Sequence, residues 1–113
     1  MVNSEVQLNN LFSALSDPTR RVMLERLATK EMSVAELSKP FNISKPAVSK
    51  HLKVLEKAGL LRRHVEGRVH RCVLVAQPLA DVADWVAHYE RFWEAKLNQL
   101  DAYLSAKGHD NES

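Results

Sequence analysis

Apolar residues recur along the chain at helical spacing, then at strand spacing, then at helical spacing again. Leu8, Leu11, Phe12 and Leu15 fall at three- and four-residue steps and predict a first helix from about 5 to 15. Ser16-Asp17-Pro18 restarts the chain, with Asp17 suited to an N-cap and Pro18 to the first helical position, where its missing N–H is not needed. Met23, Leu24, Leu27 and Ala28 predict the buried face of a second helix ending near Lys30. Ser33-Val34-Ala35-Glu36 has the form of a capping box and opens a short third helix with Val34 and Leu37 inward. Pro40 stops it, because the residue before a proline avoids the helical region, and Phe41 is expected to pack under the turn. Ser44 caps a fourth helix, Ser44 to Ala58, with Val48, Leu52 and Leu55 on one face and Pro46, Lys50, Lys53 and Lys57 on the other. Gly59 supplies its C-terminal stop.

Beyond that glycine the period shortens. Leu60 to Val65 and Arg68 to Val75 read as two strands joined at Glu66-Gly67. Pro78 opens a long last helix, whose stripe is Leu79, Val82, Val86, Tyr89, Trp93, Leu97, Leu100 and Leu104. The expected fold is mainly α with a small β-hairpin: four helices, a hairpin and a fifth helix. The third and fourth helices join through a tight turn at Lys39 to Ile43, which makes a winged helix-turn-helix. The whole reads as a single domain over residues 1–108, with a polar tail at 109–113.

Charge sharpens this picture. The net charge is only +2, but residues 44–71 hold Lys45, Lys50, Lys53, Lys57, Arg62, Arg63, Arg68 and Arg71 against Glu56 and Glu66, a local +6, and the rest of the chain carries −4. A basic stretch set in an acidic body points to a polyanionic partner. The major groove of duplex DNA admits a helix and shows each base pair as a distinct pattern of donors and acceptors. Short groups at the start of the fourth helix (Ser44, Pro46, Ala47, Ser49) allow close approach, with Ser49 and Lys50 placed to hydrogen-bond bases and Ala47 to touch a thymine methyl. Lys45 and Lys53 complete that surface, while Arg62, Arg63, Arg68 and His70 equip the hairpin to meet the DNA backbone or a minor groove, with Arg68 at the tip. His64 and His70 share a face only if the hairpin turn has three residues.

The last helix is longer than a small domain can bury. Its Val82, Val86, Tyr89, Trp93, Leu97 and Leu100, together with Leu8, Leu11 and Phe12 of the first helix, predict a self-complementary homodimer face. Trp85 and Phe92 lie on an adjoining face. No apolar run approaches the roughly 20 residues that span a bilayer, and no secretory signal opens the chain. With one cysteine, Cys72, no internal disulfide forms, so the expected compartment is the cytoplasm and no membrane partner is implied. No catalytic triad, P-loop or glycine-rich phosphate cradle is present, which argues against an enzyme and against a cofactor. A winged helix that binds a protein, or DNA without sequence preference, is the rival to a sequence-specific regulator. The salt dependence of binding and a scrambled-DNA control separate the three.

Two segments carry a family resemblance. The run ALSDPTRRVMLERLA from Ala14 to Ala28 and the run from Ser33 to Leu74 resemble the ArsR/SmtB family of winged-helix repressors, the second through Ser44, Val48, Ser49, Lys50, His51, Leu52, Leu55, Ala58, Gly59 and Leu60. The resemblance covers about 90 residues. It implies a homodimer through the first and last helices and repression from a palindromic DNA operator, with Ser49, Lys50 and His51 on the DNA side and Glu66-Gly67-Arg68 at the wing tip. It also implies where metal ligands would stand. The family's paired cysteines fall here on Ser33-Val34-Ala35, so both thiols are missing. Asp81, Asp84, His88 and Glu90 are present on the last helix, but the residue three after His88 is Arg91, which breaks the ligand step. Zinc-type sites need three or four N, O or S ligands in fixed geometry, so no metal site is expected. Sensing through His88 or Cys72 is disfavoured: Cys72 has no resolving partner in the chain and reads as a buried strand thiol. The pattern names no small-molecule inducer.

Overall fold

The computed structural model describes the backbone of residues 2–112 and the side chains of residues 5–107. The elements are α1 (Val2–Leu15), α2 (Pro18–Thr29), β1 (Met32–Ser33), α3 (Val34–Ser38), α4 (Lys45–Lys57), β2 (Leu61–Glu66), β3 (Val69–Leu74) and α5 (Gln77–Glu112). The expected order holds, with one addition. Met32 and Ser33 pair antiparallel with Cys72 and Arg71, so the wing is a three-stranded sheet in the order β1-β3-β2. The side chains of the expected polar tail, 109–113, lie outside the described residues.

The local chemistry read from the sequence accounts for most of the boundaries. Asp17 is extended and accepts the Arg20 amide at 3.1 Å, capping α2. Ser33 accepts the Glu36 amide at 3.1 Å while the Glu36 carboxylate takes the Ser33 amide at 3.3 Å, the reciprocal pair of a capping box. Ser44 accepts the Ala47 amide at 3.3 Å. At the far end of α4, Gly59 sits at φ +77° and donates to the Glu56 carbonyl at 2.9 Å, and Leu60 donates to Leu55 at 3.0 Å. Those two bonds are the Schellman pattern, with Leu55 and Leu60 both buried beside it.

The chain divides into two compact units, Met1–Val82 and Ala83–Ser113. The first holds the core: Leu11 and Ala14 of α1, Met23, Leu24 and Leu27 of α2, Leu37 of α3, Val48, Leu52 and Leu55 of α4, with Met32, Leu61 and Cys72 from the sheet. Leu8, Phe41, Leu79 and Val82 pack against it. Two residues differ from the sequence expectation. Ala28 is exposed, not on the buried face of α2. Leu11, expected in a dimer face, is fully buried inside its own protomer and has no surface to offer a partner. The second unit is the remainder of α5. Trp85 and Tyr89 stack there with ring centroids 4.2 Å apart, Phe92 meets Trp93 edge-on at 5.9 Å, and Val86, Tyr89, Trp93, Leu97 and Leu100 are exposed.

Candidate nucleic-acid interface

The register of the wing decides which of its cations face outward. Leu61 pairs with Leu74, Arg63 with Cys72 and Val65 with His70, so these residues share one face of the sheet. Leu61 and Cys72 are buried, which makes it the inner face. Arg63 therefore points under the wing, where its guanidinium binds the Glu56 carboxylate of α4. It was expected to meet DNA; it instead ties the wing to the helix beside it. Arg71, on the outer face, is engaged by Glu66 at 3.3 Å and Glu31 at 3.9 Å. The loop between the strands is Gly67-Arg68, one residue later than Glu66-Gly67, with Gly67 at φ +63°. This two-residue turn puts His64 and His70 on opposite faces. His64 lies 3.4 Å from Glu66.

What stays unengaged is a set of cations on two elements, α4 and the wing. Lys50, Lys53 and Lys57 stand exposed on the outer face of α4, and Lys45 is exposed at its first turn. Arg62 and Arg68 are exposed on the wing, as is His70 near its end. None of these six lysines and arginines pairs with a carboxylate among the described residues. Ser44 and Pro46 are exposed, and Ala47 and Ser49 half-buried, at the N-terminal end of α4. A groove of about 370 Å³ lies between α3, α4 and the wing, lined by Lys45, Ser49 and Arg63 beside apolar Val34, Ala35, Val48 and Leu52.

His51 departs from expectation. It stands on the flank of α4, half-buried, with Nδ1 3.1 Å from an Arg20 guanidinium nitrogen and 3.9 Å from the Asp17 carboxylate. A guanidinium only donates, so Nδ1 must be the acceptor and the ring proton sits on Nε2. The same arginine donates through Nε to the Ala14 carbonyl and through Nη2 to Ser13, each at 2.8 Å. Arg21 donates to Leu15 at 2.6 Å. These bonds satisfy carbonyls that the C-terminus of α1 leaves without helical partners. Burial acts to raise the pKa of Asp17, but the Arg20 amide and the Arg20 charge outweigh it and hold the carboxyl below its ordinary value. Glu36 is likewise held low, first by the Ser33 amide and then by the Ser33 hydroxyl. Burial pushes the Cys72 thiol up. Among the described residues no group of three or more His, Cys, Asp and Glu side chains is placed to hold a metal ion, and no helix is long and apolar enough to cross a membrane.

Comparisons with known proteins agree with this geometry. Residues 15–64 match a family model described as a helix-turn-helix domain. The transcriptional repressor SdpR of Bacillus subtilis is 37% identical over 82 residues, covering 73% of this chain and 91% of that protein. The HTH-type transcriptional regulator Rv2034 of Mycobacterium tuberculosis is 36% identical over 99 residues, 88% of this chain and 90% of its own. Among solved structures, an ArsR family transcriptional regulator superposes with a TM-score of 0.76 at 42% identity, over 80% of this chain and 93% of its own. An ArsR-like regulator from Rhodococcus sp. RHA1 gives 0.73 at 28% identity, over 87% and 92%.

Proposed function

This chain belongs to the ArsR/SmtB family of winged helix-turn-helix transcriptional regulators, and from that premise we propose that it is a homodimeric cytoplasmic repressor holding a palindromic operator. The helix-turn-helix and the relatives support a DNA-binding regulator; the dimer, the palindrome and the sign of regulation are the finer part of the proposal. The observation that carries it is the unengaged cation set, Lys50, Lys53 and Lys57 on α4 with Arg62 and Arg68 on the wing, flanking a helix end of short side chains. Ser49, Lys50 and Ala47 read base edges in the major groove, and the wing cations hold phosphates. Two such helices about 34 Å apart, one turn of DNA, match a two-fold operator. The exposed stripe Val86, Tyr89, Trp93, Leu97 and Leu100 gives a second copy its surface; the sequence adds Leu8, Phe12 and Val82 to that interface. Occupancy is not set by a metal: Ser33, where a family thiol would stand, is committed to the capping box.

Fluorescence anisotropy with DNA from upstream of the protein's own gene, against scrambled DNA, tests the reading. A preference of about 10³-fold or more for the native sequence is expected. Equal affinity for both would replace a specific regulator with a non-specific DNA binder, and salt-independent binding would point to a protein partner. Trp93→Ala should weaken the dimer in sedimentation velocity, and an unchanged dimer would remove the stripe from the interface.

A further inference from the structure

Apolar packing holds α4 to the body, but apolar contact is non-directional and leaves the roll of a helix about its own axis weakly defined. At 100° per residue, His51 stands about 70° to one side of the Val48–Leu52–Leu55 stripe and Glu56 about 70° to the other. Each of these two polar residues is tied to a different element. His51 accepts from Arg20 of α2, beside the Asp17 cap, and Glu56 binds Arg63 of β2. Arg20 is itself fixed by the carbonyls of Ser13 and Ala14 at the end of α1, so its guanidinium is an anchored donor rather than a loose one. Ties on opposite flanks oppose rotation in both senses, as two guy lines do for a mast.

We propose that His51 and Glu56 are positioning residues that set the roll of the recognition helix, and through it the sequence preference of the protein, without touching DNA themselves. The inference rests on α4 being the DNA-reading helix. Side-chain ends stand about 5 Å from the helix axis, so a roll of about 15° displaces a base-reading group by roughly 1.3 Å, enough to break a hydrogen bond whose distances span only about 0.5 Å. Phosphate contacts from flexible lysines absorb the same displacement. Loss of a tie should therefore erode specificity while leaving non-specific affinity in place.

The test compares binding to DNA that the wild-type protein itself selects from a random pool with binding to scrambled DNA. His51→Ala and Arg20→Ala should each lower the preference by about tenfold, the discrimination carried by one base contact, with non-specific affinity within twofold of wild type. Because both variants cut the same tie, the double variant should lose no more than either single one. His51→Asn should keep the preference, since its amide oxygen occupies the place of Nδ1 and accepts from Arg20. Full preference in His51→Ala would overturn the proposal. So would an Asn variant as impaired as Ala, which would mean that the ring contacts DNA. If the wild-type protein selects no sequence, it is the specific-regulator reading that fails, and the roll is then judged in the free protein. Amide chemical shifts in His51→Ala should move along Lys45–Lys57 as a body; changes confined to the neighbours of position 51 would refute the tie.

Discussion

The division of wing cations into engaged and unengaged predicts a difference between two arginines only three residues apart. Arg68 stands at the tip with no carboxylate partner, whereas Arg71 is held by Glu66 and Glu31. Each phosphate neutralised contributes about 0.9 to the slope of log affinity against log salt. Six cations per protomer are unengaged on α4 and the wing, so a dimer that used all of them would reach a slope of about −11, the ceiling for this surface. Arg68→Ala removes one contact from each protomer and should flatten the slope by about 1.8. Between 50 and 200 mM salt the variant should then lose about tenfold less affinity than the wild type does. Arg71→Ala should leave the slope unchanged, because that charge is already spoken for within the wing; its affinity should fall only as far as the freed Glu66 repels the backbone. Anisotropy titrations at four salt concentrations resolve the two cases. An Arg71→Ala slope as flat as that of Arg68→Ala, or an Arg68→Ala slope equal to wild type, would refute the assignment of DNA contacts by register.

Two further outcomes follow from geometry elsewhere. Gly59→Ala should destabilise the fold by about 1–2 kcal/mol, the torsional penalty of a left-handed alanine, since a Cβ there would stand 3.6 Å from Pro78, an ordinary contact. Gly67→Ala, at φ +63° in open space, should lose about as much in thermal melts; a far larger loss at Gly59 alone would make the contact with Pro78, not the torsion, responsible. Asp17 and Glu36 both have carboxyls held below their ordinary values of 3.8 and 4.5, so their contribution is present above those values and is lost as the pH falls through the lower folded ones. Denaturant melts should therefore show stability falling from about pH 4.5 downward, with a shallower fall in the Asp17→Asn/Glu36→Gln variant. An unchanged pH slope in that variant would show the two caps to be energetically silent.

The order of elements was legible because each boundary has a local chemical cause. Ser33 with Glu36, Ser44 before Lys45-Pro46, and Gly59 after Ala58 all act within three or four residues of themselves, and the structure uses each as read. What periodicity does not carry is the partner of a polar side chain. His51 falls between the inner and outer faces of α4, and the arginine that claims it lies 31 residues earlier. Arg63 and Arg71 are indistinguishable in sequence from Arg62 and Arg68; only the pairing of Arg63 with Cys72 turns one of them inward. β1 escaped notice because two residues show no alternation and Ser33 already serves as a helix cap. Leu11 illustrates a related limit: helical spacing identifies an apolar stripe but not whether core or partner covers it.

Cys72 lies at the middle strand of the sheet, opposite Met32 on one side and Arg63 on the other, fully buried, and it is the one thiol in the chain. A thiol reagent can reach it only when the inner face of the wing lifts from the core that covers it. Its labelling rate under native conditions, divided by the rate for an unfolded chain, is thus the fraction of time the wing stands open. The protein carries its own stopwatch for that event, readable without adding a probe. Comparing that fraction with and without DNA would report directly how firmly the bound duplex holds the wing shut.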